Sequence, residues 1–490
     1  MARSKRREAS LAADRLAQRY IPALVVSCLT FLPQNALAAA GLDGAAMRWP
    51  YALPFAGLLL SIAMGPLLLP KIWHHHYGKI TAAWSLLALA ALVVFAGGMA
   101  TLAALVHAML AEYLGFIVLL FALYVVAGGI LITGDIKGTP AANVGILALG
   151  TLGASIVGTT GAAMILIRPL IRANRQRRHN THVVIFFIIL VANVGGALSP
   201  LGDPPLFVGF LHGVDFFWTT RTIWLQTALV AVLLLAIFAV VDVWRFRSES
   251  PPADTGRGEP LRIRGLVNLV LIGAIVASLL ASAMWRPDIA FDIFGTKLEL
   301  EDVARNLALL AIAALSVWLT PDEHRQANGF TWEPIREVAK LFAGIFVAII
   351  PVIAMLNAGH HGAFAWLLSA VTAPDGAPRE VVYFWFTGLM SAFLDNAPTY
   401  LLFFELAGGN PQVLMHQLSG TLASISMGAV YMGALTYIGN APNFMVSSIA
   451  RENGVAMPSF FGYLLRAGAV LIPLFLLLTF LPVAPILHWH

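Results

Sequence analysis

The chain has 490 residues, of which 59% are hydrophobic and only 11% charged, with a mean hydropathy of +0.81. A soluble domain cannot bury that much apolar surface, so a soluble globular fold is excluded. The formal charge of +5 lies in short loops between apolar runs, as the positive-inside rule distributes it, which argues against a nucleic-acid surface; the single Cys28 excludes an intrachain disulfide framework.

Uninterrupted apolar runs predict an all-α polytopic membrane protein of about ten or eleven transmembrane helices, not a β-barrel of short alternating segments. Residues 1–40 join a basic N-terminus to a moderately apolar stretch. This is either a first span or a signal sequence cleaved near Ala36-Leu37-Ala38, and both place Gly41 outside. A first scaffold part, 41–135, holds spans near 52–70, 83–108 and 114–133. The intervening KIWHHHYGK reads as an inside loop anchored at headgroup level by Trp73 and Tyr77, since three histidines with no further ligand make a poor metal site.

A first transport repeat, 136–247, opens with the apolar, Gly/Ser/Thr-rich stretch 141–167, and Arg168, Arg172, Arg175, Arg177 and Arg178 follow at once. Both ends of 141–167 belong inside, which predicts a re-entrant hairpin with its tip at Gly158–Gly161; the alternative is a pair of short spans packed through small residues. A broken helix, 183–212, is interrupted where Gly202, Pro204 and Pro205 stop it, and a span at 222–244 follows. Residues 248–375 supply an arginine-rich inside linker and a second scaffold part with spans near 266–285, 303–320 and 340–357.

The second transport repeat, 376–485, lies 237 residues after the first. GALSPLGDPPLFV at 196–208 matches GALTYIGNAPNFM at 433–445 in six of thirteen positions. A hairpin at 381–407 corresponds to 141–167, a broken helix at 414–451 to 183–212, and a last span at 460–482 to 222–244. The loop after the second hairpin has no Lys or Arg where the first has five. Opposite charge at equivalent positions is the signature of inverted-topology repeats, whose paired helix breaks form a transporter's binding site.

Four polar knots therefore converge: GTTG at 158–161, SPLGDPP at 199–205, LDNAPT at 394–399 and TYIGNAPN at 436–443. Thr159, Thr160, Ser199, Thr399 and Thr436 offer hydroxyls, Asn396, Asn440 and Asn443 offer amides, and Gly202 and Gly439 let the broken backbone expose its carbonyls. Such oxygen ligands suit a hard alkali cation. Asp203 and Asp395 are the sharpest signals, because an intramembrane carboxylate costs at least about 2.5 kcal/mol and marks an ion or proton path. Capping of a half-helix is the alternative, and the two roles can coexist. Asn143 and Asn193 read as helix-bridging residues. Arg168 and Glu405, equivalent in the two hairpins, either anchor them or gate them.

The runs GTTGAAMILIRPLIRAN, NVGGALSPLGDPPLFVGF, SAFLDNAPTYL and TYIGNAPNFMV resemble the citrate transporter and NhaD-type sodium:proton antiporter group of the ion transporter superfamily over about residues 50–485. The resemblance implies a homodimer with a scaffold and a transport domain that moves as an elevator. The dicarboxylate branch carries Ser-Asn-Thr triplets in the broken loops, whereas Ser199-Pro200-Leu201 and Thr436-Tyr437-Ile438 stand here, which points away from a di- or tricarboxylate.

The expected function is a secondary transporter of a bacterial-type inner membrane, exchanging Na⁺ or Li⁺ for H⁺ at Asp203 and Asp395. It needs no cofactor beyond these ions, and its partners are the bilayer and a small solute, with no nucleic acid. Cation-coupled uptake of citrate or another organic anion is the alternative; no Lys or Arg in the four motifs clamps a carboxylate. An intramembrane enzyme is a remote third reading, without an H-E-x-x-H, a P-loop or a Gly-x-Gly-Asp pattern.

Overall fold

The computed structural model describes residues 42–249 and 260–480. The expected N-terminal span or signal sequence, and residues 250–259 of the linker, lie outside the described residues. Within them the chain is helical apart from two short antiparallel strand pairs, Leu131–Thr133 with Arg262–Arg264 and Ala290–Ile293 with Thr296–Glu299.

Seven of the described helices are long and apolar enough to cross a membrane: Pro70–Ala96, Gly98–Ala127, Pro140–Val157, Trp218–Arg247, Val267–Met284, Leu300–Leu319 and Phe460–Phe480. Glu333–Ala348 and Ile350–Asn357 add an eighth if this pair, bent by 40°, is one span. Large apolar side chains such as Val94, Trp244, Met284 and Trp318 stand exposed on these helices. That surface belongs against lipid, and the fold is an all-α polytopic membrane protein.

Two boundaries differ from the sequence expectation. KIWHHHYGK is no loop: the turn falls at Leu69, and Pro70, with its fixed φ, starts a helix that contains the whole segment. Trp73 and Tyr77, one turn apart, face inward while His74, His75 and His76 remain exposed, and the Tyr77 hydroxyl donates to Glu333 at 3.2 Å. The span expected at 83–108 instead ends at Ala96. Gly97 has φ +83°, which a glycine adopts without a Cβ penalty. The next helix runs unbroken from Gly98 to Ala127 through a π turn at Ala108–Tyr113.

Elsewhere the predicted pieces appear within a few residues. The first hairpin is Pro140–Val157 and Thr159–Ala173, and the second is Glu380–Phe393 and Asn396–Leu406. The first broken helix is Thr181–Leu190 and Pro204–Leu211, and the second is Ser419–Met432 and Ala441–Glu452.

One face of the molecule collects the basic loops. Arg172 donates to the carbonyl of Ile132 at 2.9 Å, Arg325 to that of Val125 at 2.7 Å, and Thr181 to that of Ala456 at 3.1 Å. At the base of the first hairpin Asp242 is wholly buried among Arg177 (2.6 Å), His182 (2.9 Å) and Asn143 (2.9 Å). A buried carboxylate persists only when paired and hydrogen-bonded, so this cluster fixes the hairpin base to the end of Trp218–Arg247.

Candidate functional site

The two helix breaks are built alike. Pro204 and Pro442 stand in the first turn of the resuming half-helices, where a missing N–H costs nothing. Each loop folds back on itself at a glycine. A Cβ on Gly439 would sit 2.6 Å from the carbonyl oxygen of Gly433, and one on Gly202 would run into the carbonyl of Gly196. The Ser199 hydroxyl donates to the carbonyl of Ser155 in the first hairpin, and the Thr436 hydroxyl donates to that of Ala392 in the second. The glycine and hydroxyl pairs are related by the offset of 237, so each break is stapled to its own hairpin by the same bonds.

The hairpin tips meet the breaks in the interior. Gly158 turns the first hairpin at φ +80°, and the N–H of Thr159 donates to the carbonyl of Gly202 at 2.8 Å. Asp203, 1% exposed, lies where these pieces join. Its Oδ1 accepts from the Thr159 hydroxyl and from the Asn440 amide, both at 3.1 Å, and its Oδ2 accepts from the Asn396 amide at 2.6 Å. Thr159 and Asn396 are equivalent positions of the two hairpins, and Asn440 is the equivalent of Asp203 itself. The carboxylate thus sits on the relation between the repeats. Hydrogen bonds to a charged group contribute about 1.5–3 kcal/mol each, and three together offset an insertion cost of about 2.5–3.5 kcal/mol.

The same amides leave acceptors idle. Asn396 Oδ1 and Asn440 Oδ1 are buried and have no hydrogen-bond partner, an uncommon condition that calls for an explanation. Rotated by half a turn, each amide would direct this oxygen at Asp203, and with Thr159 Oγ1 would make an all-oxygen cage. Two amide oxygens, a hydroxyl and a carboxylate are the donor set a hard cation takes.

Asp395 does different work. It stands at the N-cap of the second hairpin's returning arm, where its carboxylate accepts from the N–H of Ala397 at 3.3 Å; Gly158 is the equivalent cap in the first hairpin. Asp203 also precedes a half-helix, yet its side chain makes no capping bond. Asp395 is half-buried and borders two cavities. One, of about 80 Å³, holds Gly158, Thr159, Thr160, Asp203 and Asn440 in its wall. The other, of about 400 Å³, passes Asn440, Met445 and Ser448 to Arg168, Glu333, Glu337 and Glu452 on the basic face.

A family model described as "Putative citrate transport" matches residues 44–483. The chain belongs to the citrate-transport family. Curated relatives of this family member include an uncharacterized transporter of Mycobacterium tuberculosis and another of Mycobacterium bovis, each 26% identical over 68% of this chain and 74% of the relative. An uncharacterized transporter of Synechocystis is 23% identical over 66% of this chain and 72% of its own length. The chain is thereby a membrane transporter.

Of the residues singled out in the sequence, this transporter brings Thr159, Asp203, Asn396 and Asn440 into direct contact. Asp395 and Thr160 lie in the adjoining cavity wall. Others support the loops. The Thr399 hydroxyl donates to the carbonyl of Asp395 at 3.0 Å. Asn443 donates to the carbonyls of Gly433 (2.9 Å) and Thr436 (3.0 Å) and accepts from Asn193 at 2.7 Å, so Asn193 ties the two breaks together. Sequence reasoning missed the acidic walls of the larger cavity: Glu333 and Glu337 come from the bent helix and Glu452 from the end of a half-helix, and no motif joins them.

Proposed function

We propose that this transporter exchanges Na⁺ or Li⁺ for H⁺ across the inner membrane. The charge balance of the cavity that reaches Asp395 carries this reading: Glu333, Glu337, Glu452 and Asp395 line it against one basic side chain, Arg168. Carboxylate walls concentrate cations and repel a polyanion. In this reading the cation moves along that wall to Asp395 and on to the cage around Asp203, where the two idle amide oxygens turn inward to receive it. A proton on the carboxylate removes the charge that holds the cation, so the two compete for one site and their fluxes are coupled.

Alternating access would carry hairpins and broken helices together as one body past the helices Pro70–Ala96, Gly98–Ala127 and Glu333–Ala348. Support for one moving body comes from the hydroxyl staples and from the Asn193–Asn443 bond, which lie wholly within the repeats. A homodimer would hold the scaffold still in the bilayer.

Everted vesicles test the proposal. Addition of Na⁺ should dissipate a preformed ΔpH with the wild-type chain and not with Asp395→Asn; a variant as active as wild type would remove Asp395 from the mechanism. The second reading, cation-coupled uptake of an organic anion, is favoured by Arg168 in the same cavity and by the family description. Accumulation of labelled citrate in proteoliposomes, with no Na⁺-driven proton flux, would establish it instead.

A further inference from the structure

Arg168 and Glu405 are equivalent residues of the inverted repeats, each at the far end of its hairpin's returning arm and each half-buried. Arg168 lies in the wall of the 400 Å³ cavity on the basic face, where its guanidinium donates to the carbonyl of Gly329 at 3.4 Å. Gly329 has φ +60°, and the guanidinium occupies the space a Cβ there would need. Glu405 lies in the wall of a separate cavity of about 810 Å³. This one opens between the second hairpin and the segment Leu356–Gly359, and Asn357 there shares its wall with Glu405. Glu405 feels His212 and Glu112 from neighbouring elements, and Arg168 feels Glu452 from the end of a half-helix and Arg172 one turn along its own helix. The frame is symmetric and the two cavities are not: one holds an arginine where the other holds a glutamate.

We propose that Arg168 and Glu405 set the two faces apart in apparent cation affinity. Arg168 weakens cation binding from the basic face and speeds release there; Glu405 strengthens capture from the opposite face. Neither touches the cage around Asp203, so each acts by its field at a cavity mouth. A charge at a cavity mouth shifts local ion concentration by about a few-fold. The inference rests on the cation reading above for its sign, though not for its sidedness.

The test uses full-length protein in proteoliposomes of defined orientation, with Na⁺ titrated separately from each side. Arg168→Gln should lower the half-saturating Na⁺ concentration on the basic-face side by about three- to fivefold, leaving the other side unchanged. Glu405→Gln should raise it by a similar factor on the opposite side only. Arg168→Lys keeps the charge and loses the planar fork, so it should behave as wild type; equal effects of Lys and Gln would mean that the bond to Gly329 matters and the charge does not, overturning the inference. Changes of equal size on both sides, or none, also overturn it. If the wild-type chain moves no Na⁺, the antiport reading fails and the same variants are titrated with citrate. A basic-face-only rise in half-saturating citrate for Arg168→Gln then supports the assignment of the mouth with the opposite sign, and no sided effect with either probe sinks it.

Discussion

Asn440 donates its amide to Asp203 Oδ1 at 3.1 Å, and the two residues are each other's equivalents in the repeats. Two aspartates at these positions would oppose like charges within hydrogen-bond distance inside a membrane protein; two asparagines would leave no charge at all. One of each gives a single carboxylate with its own counterpart as donor. The divergence of the repeats is thus concentrated at the point where they touch.

That contact predicts a graded response to amide substitution. Asn440→Ala and Asn396→Ala each remove one amide oxygen of the proposed cage and should weaken cation-dependent exchange about tenfold, a loss of about 1.4 kcal/mol. Asn440→Asp should be worse than Asn440→Ala, since it sets a second carboxylate against the first. Half-saturating Na⁺ in vesicles is the readout.

The two aspartates should separate in stability. Asparagine caps a helix about as well as aspartate, so Asp395→Asn should abolish exchange while the detergent melting temperature stays within a degree or so of wild type. Asp395→Ala should lose the cap as well, about 1 kcal/mol. In Asp203→Asn the amide presents a donor edge to at least one of Thr159, Asn396 and Asn440, so both melting temperature and exchange should fall.

Glycine substitutions should divide by location. Gly439→Ala forces a Cβ to within 2.6–3.0 Å of three carbonyl oxygens, and overpacking of this kind costs about 1–3 kcal/mol. Gly273, around which nothing lies within 4 Å, should accept alanine freely. Thermal unfolding followed by gel filtration distinguishes the two.

The buried cluster on the basic face should behave as a structural element. Arg177→Ala leaves Asp242 buried without its cation, and breaking such a pair costs about 3–5 kcal/mol. Loss of folded protein at 37 °C is expected, and Asp242→Asn, which keeps three neutral acceptor and donor sites, should be milder.

Most of the frame was legible because helix breaks at membrane depth need residues that announce themselves. Pro205 and Pro442, and Gly202 and Gly439, mark their turns in the sequence, and the offset of 237 pairs them. The roles of Asp203 and Asp395 were less legible: both precede a half-helix, and only the arrival of Thr159, Asn396 and Asn440 around one of them decides which carboxylate caps and which does not. Gly97 was overlooked because a glycine pair inside an apolar run reads as helix packing until its φ is known. The acidic cavity wall was invisible, since Glu333, Glu337 and Glu452 lie on separate elements whose proximity is purely tertiary.

The placement of Asp203 opposite Asn440 bears on orientation. A frame with two equivalent halves has no built-in up or down; exchanging the acid and the amide, as in Asp203→Asn with Asn440→Asp, would leave the same contact seen from the other side of the bilayer. Which half of the gene carries the acid is therefore one source of direction in this molecule, beside the Gly158–Asp395 and Arg168–Glu405 differences, and a single swapped pair is enough to ask how much of its polarity follows the acid.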